Sequence, residues 1–528
     1  MHREAAEVRR VVRGGIAGLA GAGAGAVSQF AIALVVTRAF DAATAGCFFA
    51  LTAGFLMLAG IVRLDTGNGL IYFMAKSDMD RKRGIWSYLM AAVPPVAAIS
   101  LITAVIVFLS GESLVGTAHE WTPETTSEMN GLMQRQPASG QGLGAAVRVL
   151  AVAFPVVVLA EVLVGASRGL GSMRPTVLLG GVAQPVSQLG LVAAVACAAL
   201  VLGPSGGGAL PWLAAAWALP YLPVLVAGAV WLGRRVPREP YRRGAAGEFW
   251  RHTAPRSLGA AVQNVFQRLD IVIVAVLAGP AEAAVYTAAT RFKVLGQLAG
   301  QGLAQAAQPA LVRALAAGDL AVARAVYQRT TMWLVLLTWP VWLGYAALAP
   351  TLLGVFGAEY GGASDGARIA VVLAATMMFA AACGMADVAL IAAGRTTASL
   401  AGIAAATAVT VAVDLLLVPA LGAFGAALGW SAGVVVKNAL PLAQIWRGYG
   451  LRPFGARSWP IRRQPSSGSR SIPQLWSRWA SIAARAASAG PRAIVSRSSR
   501  CSATSTSRSS YTRRSRTRPS RVSAASEE

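Results

Sequence analysis

Two stretches in the second half of the chain carry polar and charged side chains at a spacing that lipid-facing helices avoid. In LGAAVQNVFQRLDIVIVAVLAG (258–279) a helical turn of about 100° per residue puts Gln263, Asn264, Gln267 and Asp270 on one face, with Arg268 at its edge. In RFKVLGQLAGQGLAQAAQPA (291–310) Gln297, Gln301, Gln305 and Gln308 form one line along a helix, flanked by Arg291 and Lys293. Amides and excess cations suit the handling of a polar or anionic solute, not bond-breaking chemistry. Single glutamines are often packing glue between membrane helices, and Asp270 could simply pair with Arg291 or with a neighbour of Arg268. The whole set, two facing helices with matched polar faces and surplus cations, points instead to a water-filled cleft.

Other chemistry is poorly supported. His2, His119 and His252 are far apart, and Cys47, Cys197, Cys383 and Cys501 lack metal or redox spacing. The reading is therefore no enzyme, no metal and no cofactor, with a proton or sodium gradient as a candidate energy source. Glu161, Arg148, Asp387 and Asp414 fall near span ends, where snorkelling or capping is the expected role.

The elements that must position these residues are membrane spans. Only 13% of the 528 residues are charged, against about 25% in a soluble domain. Blocks such as VLAVAFPVVVLAEVLVGA (149–166) and TMWLVLLTWPVWLGYAALA (331–349) approach the ~20 residues that cross a bilayer. About twelve spans are expected, near 14–36, 45–63, 85–110, 144–166, 176–202, 210–233, 254–278, 281–305, 329–349, 367–392, 396–418 and 421–446. Counted inward at about 1.5 Å per residue, Arg268, Asp270, Arg291, Lys293 and Lys437 all reach mid-bilayer. A charge there costs about 2.5 kcal/mol or more on insertion scales, so it faces a cavity or a partner.

Charge alternates along the breaks. The N-terminus (Arg9, Arg10, Arg13), 63–83, 168–174, 234–243, 313–329 and Arg395 are basic. The alternate breaks, among them FDAATAG, the loop 111–143, GPAEA and PALGAFG, are neutral or acidic. By the positive-inside rule both ends lie in the cytoplasm of a multi-pass protein of the plasma (inner) membrane. The apolar stretch after the N-terminus is too long for a signal-peptide core and is read as a retained first span.

FDAATAGCFFAL (40–51) and GPAEAAVYTAAT (279–290) each open a second span, suggesting parallel repeats. The expected domains are an N-terminal six-helix lobe (1–233), a cytoplasmic linker (234–252), a C-terminal six-helix lobe (253–446) and a Ser/Arg-rich tail (447–528). That tail is compatible with disorder, with an Arg/Trp strip on anionic lipid, or with a late change of reading frame. Net charge +25 does not imply nucleic acid, because the cations sit between apolar blocks and in the tail, with no folded basic domain.

Several segments in order, VVTRAFDAATAGCFFAL, RLDTGNGLIYFMAK, ASRGLGSMRPT, QRLDIVIVAVLAGPAEAAVYTAATR, LLGVFGAEYGGA and DLLLVPALGAFGAALG, resemble the polysaccharide or lipid-linked oligosaccharide flippases. These belong to the multidrug/oligosaccharidyl-lipid/polysaccharide exporter superfamily, and the likeness covers roughly 10–446. It implies an all-α polytopic fold, two six-helix lobes around a central cavity that opens alternately to each side. The implied cargo is a polyprenyl-diphosphate-linked oligosaccharide, moved to the outer leaflet for cell-envelope polysaccharide. Implied partners are membrane lipids, a polysaccharide polymerase and glycosyltransferases. The first span lacks the basic residue of the lipid II flippase branch. Two alternatives stand beside this one: a cation-coupled multidrug exporter and, in another class, a membrane-embedded polymerase or glycosyltransferase.

Overall fold

The computed structural model describes residues 2–79, 84–120, 138–202, 206–361 and 365–455. The tail from 456, residues 121–137 of the acidic loop, and the side chains of Gln297, Gln301 and Gln305 lie outside the described residues. Every regular element described is helical. The first half holds α1 (His2–Ala39), α2 (Ala42–Val62), α3 (Thr66–Met79), α4 (Ile85–Glu120) and α5 (Ala138–Gly169). A π-helix (Thr176–Ala183) then leads into α6 (Gln184–Leu202), followed by α7 (Leu210–Ala218) and α8 (Tyr221–Gly233). The second half holds α9 (Ala245–Leu277), α10 (Pro280–Thr290), α11 (Lys293–Ala316) and α12 (Leu320–Ala347). Short α13 (Ala349–Gly354) and α14 (Ala358–Gly361) precede α15 (Gly366–Cys383), α16 (Ala386–Ala392) and α17 (Thr396–Tyr449).

Nine described segments are long and apolar enough to cross a bilayer. The last, Thr396–Tyr449, contains a non-helical Gly422 and makes two passes. The less apolar α10–α11 pair and α12 complete about the twelve expected from span lengths. Helix starts follow from local chemistry. The Asp41 carboxylate accepts from the Thr44 amide at 3.0 Å to open α2, and Asp319 accepts from Val322 N at 3.0 Å to open α12. Gly279, at φ 96°, turns the chain into Pro280 at the first position of α10.

The belt around the bundle is apolar. Leu101, Ile106 and Leu109 of α4 are 59%, 60% and 76% exposed, as side chains facing acyl chains are. Inside, close contacts use small residues, because lipid tails offer helices no hydrophobic drive to associate. A side chain on Gly46 of α2 would overlap the Pro280 carbonyl, one on Gly60 would overlap Asn264, and Gly181 rests against Gly21. In the first half α5 packs on α2, α3, α4, α7 and α8; in the second, α17 packs on α9, α10, α15 and α16. The halves meet along α2, which packs on both α9 and α10. One core runs through both, including Phe49, Phe154, Tyr286 and Trp342.

Three expectations need correction. The basic break after the second span is not a loop: α3 fills most of it, entered through Leu64 and Asp65, both at φ 51°. Thr66 Oγ1 donating to the Arg63 carbonyl at 2.8 Å, and Asn68 donating to Asp65 at 2.6 Å, hold that unusual turn. The eighth span is not continuous but breaks at Arg291–Phe292 between α10 and α11. The PALGAFG break is not a loop either, since the chain reverses at the single residue Gly422 (φ 55°, ψ −136°). There the Glu282 carboxylate accepts from Ala423 N at 2.9 Å, placing an anion at the start of the last helical pass.

Candidate functional site

Asn264, Gln263, Gln267 and Asp270 do not share a working face. Asn264 and Arg268, one turn apart, point toward the first half: Asn264 lies against Gly60 of α2, and Arg268 is close enough to Glu161, Tyr221 and Arg63 to feel their charge. Asp270 turns the other way, into α10 and α17, and is 1% exposed. Gln267 is exposed and Gln263 half-buried. Seven residues of helix return almost to the same angle, but a polar face more than about 100° wide spans two neighbours, and α9 sits between two.

The break in the eighth span separates the two cations that flanked the glutamine line. Arg291 caps α10 and lies over the Phe49 ring of α2 at 5.3 Å, its Nε buried without a hydrogen-bond partner. Lys293 begins α11 and faces the second half. Its ammonium stands 3.8 Å from Asp270 Oδ2, 4.2 Å from the Trp430 ring centre and 5.7 Å from that of Tyr286. Asp270 therefore pairs with Lys293, not with Arg291, and also accepts 2.6 Å from the Tyr286 hydroxyl. Lys437 lies over Phe266 at 5.0 Å. Gln308 is exposed, and the other three glutamines of the line have no described side chains.

Two residues expected to snorkel do otherwise. Asp414 is fully buried in the middle of the first pass of α17, with neither carboxylate oxygen hydrogen-bonded. It is close enough to Asp270 and Tyr286 to act on them electrostatically, and unpartnered buried hydroxyls of Thr287, Thr410 and Ser431 belong to the same helices. Glu161 of α5 is ion-paired with Arg63 Nη1 at 2.6 Å. The side chains of that pair are 32% and 30% exposed, unlike the 14% and 1% of Lys293 and Asp270.

Arg63, which opens a basic break in the sequence, caps the end of α2 and reaches inward to α5. Arg168, in the last turn of α5, lies near enough to Arg63 to repel it. Arg63 and Arg268, from α2 and α9, both act on the Glu161 carboxylate of α5, while Arg168 approaches Arg63 and Arg291 approaches Arg268, so positive charge is in excess where the halves meet. Only the spacing of Arg63 and Asp65 around a helix end could have signalled this, because the contact depends on a turn with two left-handed residues.

One end of the bundle, carrying the neutral and acidic breaks, is clamped. Arg38 donates to the Val355 carbonyl at 2.7 Å and to that of Gly354 at 3.2 Å. Phe30 packs edge-on against Phe356 and Phe292 with ring centres 5.2 and 5.4 Å apart, and Phe292 packs on Tyr345 at 4.7 Å. At the basic end, Ser257 Oγ donates to the Leu64 carbonyl at 2.6 Å, Arg256 pairs with Asp65 at 3.2 Å, and Lys76 pairs with Glu248 at 3.3 Å. Glu248 also binds Arg242 and accepts from Tyr88 at 2.8 Å. These ties join α3 and α4 to the start of α9.

Comparison with known proteins agrees with this architecture. Residues 255–416 match the MatE family model. Among solved structures, an inward-facing multidrug resistance MATE family transporter of the MOP superfamily superposes with TM-score 0.62 at 18% identity, covering 81% of this chain and 94% of that one. The lipid II flippase MurJ in an inward closed conformation gives 0.60 at 11% identity, covering 82% and 87%. A MOP superfamily transporter from Pyrococcus furiosus Vc1, described by the reverse polarity of its binding pocket, gives 0.55 at 18%, covering 84% and 95%. No curated protein matches the chain. At these identities the likeness establishes the fold: an all-α, multi-pass membrane protein built like MATE transporters.

Proposed function

We propose that this protein turns a polyprenyl-diphosphate-linked oligosaccharide from the cytoplasmic to the outer leaflet by alternating access between two six-helix lobes, 1–233 and 253–446. The observation that carries the reading is the excess of guanidinium groups near the Arg63–Glu161 pair. Arg63 and Arg268 share the one carboxylate of Glu161, with Arg168 close to Arg63, which favours a multiply charged anion, and a planar guanidinium matches phosphate oxygens two at a time. A diphosphate leaving water needs that replacement for its hydration. The roughly one-third exposure of Arg63 and Glu161 supports a wet cleft, since an unshielded pair facing lipid would be costly.

The basic breaks favour an orientation with that end and both termini in the cytoplasm of the plasma membrane. The end clamped by Arg38 and the Phe30–Phe356 contacts then faces outside, and the ties of α3 and α4 to α9 face the cytoplasm. The buried Asp270–Asp414 pair, with the oxygens of Thr287, Thr410 and Ser431 nearby, offers donors for a proton or a sodium ion as the driving gradient. Glycosyltransferases and a polymerase would act before and after it on the same lipid-linked sugar.

A multidrug exporter is favoured by the MATE fold itself. The local charge argues against it: a cationic drug would meet Arg63 and Arg268 and a glutamate already paired. The deciding experiment reconstitutes the protein in vesicles with a fluorescent polyprenyl-diphosphate oligosaccharide and measures its leaflet exchange. Exchange should be accelerated over empty vesicles, and Arg268→Gln or Arg63→Gln should slow it by about tenfold or more, the loss of one charge-assisted phosphate contact. No exchange by the unaltered protein, together with export of a cationic dye, would overturn the proposal.

A further inference from the structure

We infer that Glu161 is a tethered competitor for the anionic cargo and sets its selectivity: in the empty protein its carboxylate occupies Arg63, and only a multiply charged group such as a diphosphate displaces it. The inference rests on the reading of the cleft as a diphosphate site. Its geometric basis is the contrast between two ion pairs. Lys293–Asp270 is sealed, with side chains 14% and 1% exposed, and is built into the second half. Arg63–Glu161 is about one-third exposed on both sides, so solvent and solute reach it, and a pair this open is weak enough to exchange.

The backbone fixes one partner and frees the other. Arg63 closes α2, and its carbonyl accepts from Thr66 Oγ1 at 2.8 Å while its amide bonds back to α2. The following Leu64–Asp65 turn is pinned to α9 by Ser257 at 2.6 Å and Arg256 at 3.2 Å. The guanidinium thus starts from a fixed point. Glu161 sits within α5 and, among the described residues, pairs with Arg63, reached at the end of a side chain with three rotatable bonds. Rotation about those bonds withdraws the carboxylate without moving either helix.

Charge arithmetic decides which ligands succeed. The single carboxylate of Glu161, shared by Arg63 and Arg268, leaves positive charge unmatched. A monocarboxylate gains little by replacing Glu161, since it substitutes one anion for another, and a monophosphate, with at most two charges, gains only part of what is available. A diphosphate carries more charge and more oxygens and can meet two guanidiniums at once. Re-pairing of Glu161 with Arg63 then assists release, because the site regains an anion of its own as the cargo departs. Differential occupancy of this kind gives specificity by competition, not by extra contacts.

The test uses the full chain in detergent, with farnesyl diphosphate and farnesyl monophosphate as probes and farnesol as the uncharged control. The unaltered protein should bind the diphosphate more tightly than the monophosphate. Glu161→Gln should tighten both by about tenfold, with the larger gain for the monophosphate, so that discrimination shrinks. Arg63→Gln should weaken diphosphate binding, and adding Glu161→Gln to it should tighten binding by much less than Glu161→Gln does alone, since Glu161 acts chiefly through Arg63. A measurement on the unaltered protein accompanies these variants: carbodiimide labelling of Glu161, read by mass spectrometry, should rise on adding the diphosphate. Unchanged or weaker binding by Glu161→Gln, or labelling that falls or stays level, overturns the inference while leaving the diphosphate site standing. Binding of both phosphates no better than farnesol overturns the site and the inference together.

Discussion

Lys293 shows how little of a residue's role its depth in the membrane decides. Arg291 and Lys293 are two positions apart and equally deep, yet a break of one turn sends the first to Phe49 of α2 and the second to Asp270, Tyr286 and Trp430. Asp270 is 1% exposed, and it is held by a hydroxyl at 2.6 Å as well as by the ammonium at 3.8 Å. Breaking a buried pair by removing one member strands the other charge, at a cost of about 3–5 kcal/mol, whereas removing both is often nearly neutral. Lys293→Met should therefore lower the thermal unfolding midpoint in detergent strongly. Adding Asp270→Asn should recover most of the loss. If the double variant is as unstable as the two single losses added together, the two side chains are not energetically coupled and the lysine packs for its stem alone.

Gly422 carries the same lesson to the element. The chain has to reverse between two membrane passes, and it does so at φ 55°, ψ −136°, a conformation that side chains rarely adopt. A Cβ there would also stand 2.8 Å from the Glu282 oxygen that caps the next helix. Gly422→Ala should cost about 1–3 kcal/mol of backbone strain and lower the yield of folded monomer. Gly344→Ala, in the last turn of α12 with open space around it, serves as the control and should be neutral or slightly stabilising. Equal behaviour of the two variants would mean the reversal does not depend on glycine. Hydropathy made the spans legible, because bilayer thickness imposes one length on every helix. It did not reveal α3, whose apolar run LIYFMA is too short to register as a span and is followed at once by Lys76. Nor did it separate Asn264 and Arg268 from Asp270. Periodicity gives angles about one helix axis, but which neighbour lies at each angle depends on packing: Gly60 of α2 admits Asn264, and Asp270 has Tyr286 facing it. Arg63 and Glu161, far apart in sequence and each near a span end, offered no local pattern from which their 2.6 Å contact could be read.

At the scale of the whole molecule, the two halves share α2 as a common wall and are bolted at the neutral end by side chains that carry no charge on the cleft. Gly46 against Pro280 lets the backbones of α2 and α10 touch, while Phe30, Phe292, Phe356 and Tyr345 stack across from α1 to the loop of α13–α14. Aromatic edge-to-face contacts of this type contribute about 0.5–1.5 kcal/mol each beyond their buried area, so a few of them form a latch that a bound ligand's energy can open. Under the alternating access proposed above, this latch parts once per cycle. Replacing Cys47, Cys197, Cys383 and Cys501 with serine and introducing Phe30→Cys with Phe356→Cys places two thiols where ring centres now stand 5.2 Å apart. A short bismaleimide should join them and stop leaflet exchange of the labelled cargo in vesicles. Each single cysteine, treated in the same way, should retain exchange, which separates locking from mere modification. Because the arginine centre lies below the latch, the locked protein should still bind farnesyl diphosphate presented from the basic end with the affinity of the unlocked one. Exchange that continues at full rate with the two cysteines joined would mean that cargo leaves by another route, and the closed neutral end would then be a permanent wall of the bundle.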